Sequence, residues 1–288
     1  MIDKEKLREI RHLAARLRRD VILMVGVGQT GHIGGSCSSA DIVAALYGYK
    51  MKHDPKNPKW EERDRFVMSK GHSAIVQYAA LAETGYFPTS ELLTLKKMGS
   101  MLQGHPEYHR MPGIEATTGS LGHGLSISNG MALALRLDKK PSRVFCILGD
   151  GELAEGQVWE AAMFGPVKKI DNLVSLVDNN GIQATGAVKD RLDSEPLPAK
   201  WRAFRWHVIE IDGNDAQAII AALDEAETIK GRPTAIIAHT VKGKGISFAE
   251  NNVAFHNGAM TQAQYDQALK EVDAAIAEFA PALGTKAN

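Results

Sequence analysis

Residues 144–160 read VFCILGDGELAEGQVWE, and their reading decides the fold. Val144 to Leu148 form an unbroken apolar run, the pattern of a strand buried on both faces, and such strands belong to parallel sheets. The run ends on Asp150, held between Gly149 and Gly151, and a helical pattern carrying acidic residues begins at once. Glycine lets backbone come close to a ligand, and the first turn of a helix offers free N–H groups to an anion. Aspartate adds a hard oxygen for Mg²⁺ or Ca²⁺. A metal-bridged phosphate or diphosphate suits all three features, while an ordinary strand-to-helix turn suits the same letters read alone.

Outward from this stretch, short apolar runs alternate with helical ones. Residues 65–68, 173–177, 207–211 and 234–238 read as further strands, and 73–84, 123–137, 155–169 and 214–229 as helices. The alternation predicts a mostly parallel sheet covered on both faces. Leu7, Ile10, Leu13, Leu17 and Val21 give residues 3–25 a helical stripe, Ser39 reads as the cap of a helix over 40–50, and 261–280 is amphipathic. Residues 185–200 read as a long irregular loop.

Composition narrows the partners. Lys+Arg and Asp+Glu are equal at 34 each in 288 residues, leaving no surplus charge for nucleic acid or an acidic membrane. Small molecules and proteins are the expected partners. Cys37 and Cys146 are the only cysteines, so no disulfide framework is expected, which suits a reducing cytoplasm. The Arg-rich N-terminus carries Asp3, Glu5 and Glu9 and reads as neither a signal nor a transit peptide. No window is apolar for long enough to span a bilayer.

The strand at 173–177 runs into Asp178-Asn179-Asn180-Gly181, which alone is equally a tight turn. If the two strands are neighbours, Asp150 and Asn180 share one rim, where ligands of parallel sheets gather. GDG followed about thirty residues later by NN resembles the signature of thiamin diphosphate enzymes. TGHIGG (30–35), SKGHS (69–73), GHPE (104–107), TTGSLGHG (117–124), VKGKG (241–245) and FHNG (255–258) resemble, in order, the transketolase family. The resemblance covers the family's diphosphate-binding, or PP, domain. It implies the three-layer α/β fold, a mostly parallel central sheet with helices on both faces, as one PP domain over 1–288.

The resemblance also implies roles. Asp150, Asn180 and the carbonyl of Ile182 would bind Mg²⁺ or Ca²⁺. Gly151, His72, Lys242 and His256 would hold the diphosphate, with Gly119, Leu121 and Gln183 near the cofactor. His32, His105 and His256 would line the substrate channel and move protons near neutral pH. Glu155 and Glu160 resemble the acidic network between active sites. His123 stands where the family commonly has glutamine and takes no role.

The sequence departs from the family at Ile33, where proline is usual, and at Ser36-Cys37-Ser38. No stretch resembles the family's pyrimidine-binding (Pyr) domain, which supplies the glutamate that activates the cofactor. The expectation is therefore an N-terminal subunit of a split transketolase, moving a two-carbon ketol unit from a ketose phosphate to an aldose acceptor. It would form a homodimer and pair with Pyr-domain subunits in an α2β2 assembly, with the helix at 261–280 on the apolar contact face. Three alternatives stand beside it: an E1 α subunit of a 2-oxoacid dehydrogenase, a non-catalytic partner of the same fold, and an NAD-dependent dehydrogenase. The last rests on Gly26-Val27-Gly28-Gln29-Thr30-Gly31, which fits GxGxxG but follows a helical pattern where a dinucleotide site needs a strand.

Overall fold

The computed structural model describes residues 2–280. Seven strands occur among them, β1 (Arg65–Met68), β2 (Val144–Gly149), β3 (Leu173–Asn179), β4 (Ile182–Gln183), β5 (Gly186–Ala187), β6 (His207–Asp212) and β7 (Thr234–His239). The α-helices are α1 (Lys4–Val25), α2 (Ile33–Ser38), α3 (Ala40–Ala45), α4 (Ala74–Glu83), α5 (His123–Leu137), α6 (Gly156–Val167), α7 (Leu197–Ala203), α8 (Ala216–Thr228) and α9 (Gln262–Phe279). Five strands form one wholly parallel sheet in the order β1-β2-β3-β7-β6. The chain skips a position after β3 and returns through α8 to fill it with β7.

Alternation along the central strands builds two cores. Phe145 and Ile147 of β2, Val174 and Leu176 of β3, and Ile236 and Ala238 of β7 face a core that also takes side chains of α1, α3, α4 and α8. Val144, Cys146 and Leu148, Leu173 and Val177, and Ala235 and Ile237 face a second core closed by α5, α6 and α7. Both faces are therefore buried, which is why these strands read as continuous apolar runs. Register aligns their carboxyl ends: Gly149 lies opposite Asp178, and Asn179 opposite His239. Asp150, Asn180 and Thr240 thus emerge on one rim.

Three local expectations are corrected. The helix expected from residue 40 begins as α2 at Ile33, so Ser39 is in helical backbone and caps nothing. Its hydroxyl instead donates to the Gly35 carbonyl at 3.0 Å, the turn-back habit of a helical serine. The following residues 46–50 form a wider turn closed by Met51 N–H on the Leu46 carbonyl at 2.8 Å. Within 185–200, β5 pairs antiparallel with β4, and α7 starts at Leu197 because Leu197 and Trp201, one turn apart, are buried in the second core.

The third correction concerns α9. Its apolar stripe is spent on α1: Ala268 and Val272 are buried in the first core, and Arg19 pairs with Asp273 at 2.7 Å. α6 turns Glu160, Met163, Phe164 and Val167 outward instead. Among the described residues no helix is long and apolar enough to cross a membrane.

Candidate functional site

The carboxyl ends of β1, β2, β3 and β7 open into a cavity of about 450 Å³ lined by their following loops. Asp150 forms its floor. One carboxylate oxygen accepts the Gly151 N–H at 2.8 Å, and the other accepts the Gly181 N–H at 2.5 Å. Burial first, and then the nearby Asp178 carboxylate, push its pKa up to about 6. The Asn180 side-chain oxygen accepts the Ile182 N–H at 3.1 Å. Lys242, which follows β7, donates from Nζ to the Ile182 carbonyl at 3.0 Å. Burial and the Lys70 charge lower the Lys242 pKa to about 8, against the pull of Asp178 and Asp150.

Three imidazoles form the opposite wall. His32 precedes α2, His72 sits in the short turn before α4, and His256 closes the turn 253–255. Their ring centroids lie 4.9 Å (His32–His72), 5.5 Å (His32–His256) and 5.3 Å (His72–His256) apart. Burial is the main cause that lowers all three pKa values, to about 3, 2 and 4 for His32, His72 and His256. Neighbouring cationic groups add to it. All three are therefore neutral at physiological pH. Among the described residues His256 Nδ1 is buried without a hydrogen-bond partner, a costly state for a polar atom unless something completes it.

Loop packing explains the glycines. A Cβ on Gly71 would stand 2.6 Å from the Thr118 carbonyl carbon, and one on Gly119 would stand 2.8 Å from His105 Cδ2. The SKGHS and TTGSLGHG loops therefore interlock backbone to backbone, with the GHPE loop resting on them through His105. Burial, followed by Lys96, also lowers the His105 pKa. Glu152 ties the loops beneath: it accepts Ser69 Oγ at 2.5 Å, Gly122 N–H at 2.8 Å and Gly149 N–H at 3.0 Å.

A family model described as the transketolase thiamine diphosphate binding domain matches residues 4–276. The chain belongs to the transketolase family. It is 44% identical over 265 residues to a 6-deoxy-6-sulfo-D-fructose transketolase subunit of a Clostridium strain, covering 92% of this chain and 96% of that one. It is 40% identical to an apulose-4-phosphate transketolase subunit of Phocaeicola vulgatus, covering 90% and 92%. The solved transketolase of Campylobacter jejuni superposes with a TM-score of 0.85 at 28% identity, over 96% of this chain and 46% of that one. The chain thus spans nearly the whole of the subunit relatives and under half of the solved transketolase.

Within this transketolase domain, the cavity gathers His32, His72, Gly119, Leu121, Asp150, Gly151, Glu155, Asn180, Ile182, Gln183, Lys242 and His256. Two expected residues stand outside it. His105 touches Gly119 at the rim and lines an adjoining hollow, and Glu160 is exposed one turn along α6. His123 is exposed in the first turn of α5. The dinucleotide alternative fails locally, since α1 precedes Gly26 where a strand would be needed. Sequence reasoning missed Lys70, Glu152 and Asp178. Each lies inside a motif whose neighbouring residues alone read as ligands.

Proposed function

We propose that this chain is the diphosphate-holding subunit of a two-chain transketolase, moving a two-carbon ketol unit from an anionic ketose to an aldose acceptor. The observation that carries the reading is the convergence, in one cavity, of three oxygen donors with three neutral imidazoles. Asp150, the Asn180 side chain and the Ile182 carbonyl are hard oxygens suited to Mg²⁺ or Ca²⁺. Two features fit a cation there. Asp150, buried beside the Asp178 carboxylate, holds its proton up to about 6, so a bound cation would offset the cost of its charged form, and a lysine ammonium already rests on the Ile182 carbonyl. Lys242, His72, His256 and the Gly151 backbone would then face the diphosphate.

Thiamin diphosphate, once bound, supplies the electron sink that ketol transfer requires. The chain's own residues position and move protons. His256 Nδ1, unpaired among the described residues, can accept from a substrate hydroxyl, and neutral His32 can take the proton of the substrate hydroxyl next to the breaking C–C bond, leaving that carbon as the aldehyde. His105 guards the rim. Glu155 and Glu160 are exposed on and beside α6, and Glu160 shares one helical face with exposed Met163, Phe164 and Val167. That mixed face suits a second copy of the chain, with the acids close to the contact.

The two-chain reading rests on near full-length similarity to relatives named as subunits. Those relatives are named for a sulfonated ketose and a ketose phosphate, hence the anionic substrate class. Buried free thiols at Cys37 and Cys146 suit a reducing cytoplasm. The histidine wall favours sugar chemistry over 2-oxoacid oxidation. The purified chain should self-associate yet show no ketol transfer, and adding a Pyr-domain chain, thiamin diphosphate and Mg²⁺ should produce it. Ketol transfer by this polypeptide alone, or 2-oxoacid oxidation without ketol transfer by the mixture, would refute the assignment.

A further inference from the structure

Asp178 is fully buried, and the chemistry proposed for the cavity makes no use of it. Its Oδ2 accepts the Ser38 hydroxyl at 2.6 Å and forms an ion pair with Lys70. Its Oδ1 accepts the Thr240 hydroxyl. Lys70 Nζ also donates to the Gly35 carbonyl at 2.8 Å. Three separate segments thus converge on this carboxylate at the end of β3: the loop after β1, the α2–α3 junction and the residue after β7. A buried ion pair is a weak source of stability, because desolvation consumes most of its attraction. So elaborate a clamp calls for another use.

The use is visible at Asn180. Its Nδ2 donates to Asp178 Oδ2 at 3.1 Å, while its Oδ1 takes the Ile182 N–H and keeps a second lone pair. An unanchored amide can turn either end toward a cation, and the NH₂ end repels it. The Asp178 backbone carbonyl also receives the Asp150 N–H at 3.3 Å, so both ligand-bearing ends are referenced to residue 178. We propose that Asp178, clamped by Lys70, Ser38 and Thr240, is a positioning residue that holds Asn180 by its amide nitrogen and so presents its oxygen to the metal. The inference rests on reading Asn180 as a metal ligand. It also gives work to Ser38, which lies where the sequence departs from the family pattern.

The test is titration of Mn²⁺ into the full chain with thiamin diphosphate present, free Mn²⁺ being read by electron paramagnetic resonance. Lys70→Met combined with Asp178→Leu removes the pair without stranding a charge. The Mn²⁺ dissociation constant should rise about tenfold or more, the usual cost of losing a group behind a ligand, with the melting temperature little changed. Ser38→Ala combined with Thr240→Val should give a smaller rise in the same direction, and it serves where the first variant fails to fold. Asn180→Ala is the control. If it weakens Mn²⁺ binding while both clamp variants bind as the parent does, the positioning role is overturned and the metal reading stands. If Asn180→Ala changes nothing, or the parent chain holds no Mn²⁺, the metal reading falls and the inference falls with it.

Discussion

At the scale of single residues, the site is a set of neutral imidazoles facing oxygen donors, and the two groups predict different losses. His105 rests on Gly119 at the rim, away from the Asp150–Asn180–Ile182 oxygens. His105→Ala should therefore lower kcat of the assembled enzyme by roughly ten- to ten-thousand-fold while thiamin diphosphate affinity stays near the parent value. Steady-state kinetics beside calorimetric titration checks this; cofactor loss in proportion to activity would contradict the rim role. Most of these residues were legible in the sequence because glycine–histidine pairs within ordered motifs mark close approach of backbone and ligand. Lys70 and Glu152 were not, because each acts through a partner supplied from a distant segment: Lys70 through Asp178, Glu152 through Ser69 and Gly122. Spacing along the chain carries no trace of such pairings.

At the scale of elements, the central strands were legible because burial on both faces leaves unbroken apolar runs, and α5 matched its expected limits at His123 and Leu137. Short elements were not. α2 has six residues and α7 seven, too few turns for a period to show, and their places are set by tertiary contacts such as Trp201 in the second core. The contact between α1 and α4 makes a separate prediction. Burial, and then Glu83 beside it, push the pKa of Asp20 up to about 8 from an ordinary 3.8. The folded chain thus keeps a proton that the unfolded chain releases, so stability is greatest at low pH in this window. It falls as pH rises from about 4 to about 8. Asp20→Asn should flatten that profile and melt roughly 5 °C higher than the parent above the upper limit. Thermal unfolding across the pH range decides it, and an unchanged slope would count against the buried acid pair.

At the scale of the whole molecule, the described residues carry one five-stranded sheet, two cores and a cofactor-sized cavity at the carboxyl rim. The expectation that α9 offers an apolar contact face gave way because an amphipathic pattern tells that a stripe is covered, not by what. α1 covers it, leaving α6 to face outward with Glu160, Met163, Phe164 and Val167. The central claim concerns the rim itself: Asp150 anchors a metal that anchors the diphosphate. Calorimetric titration of thiamin diphosphate into the full chain and its Asp150→Ala variant, each with and without Mg²⁺, tests it most directly. The account predicts Mg²⁺-dependent binding by the parent chain and the loss of that dependence, with affinity down by more than the roughly ten- to hundredfold that losing a group behind a ligand costs, in a variant whose circular dichroism matches the parent. Equal, Mg²⁺-dependent affinity in both chains would contradict it.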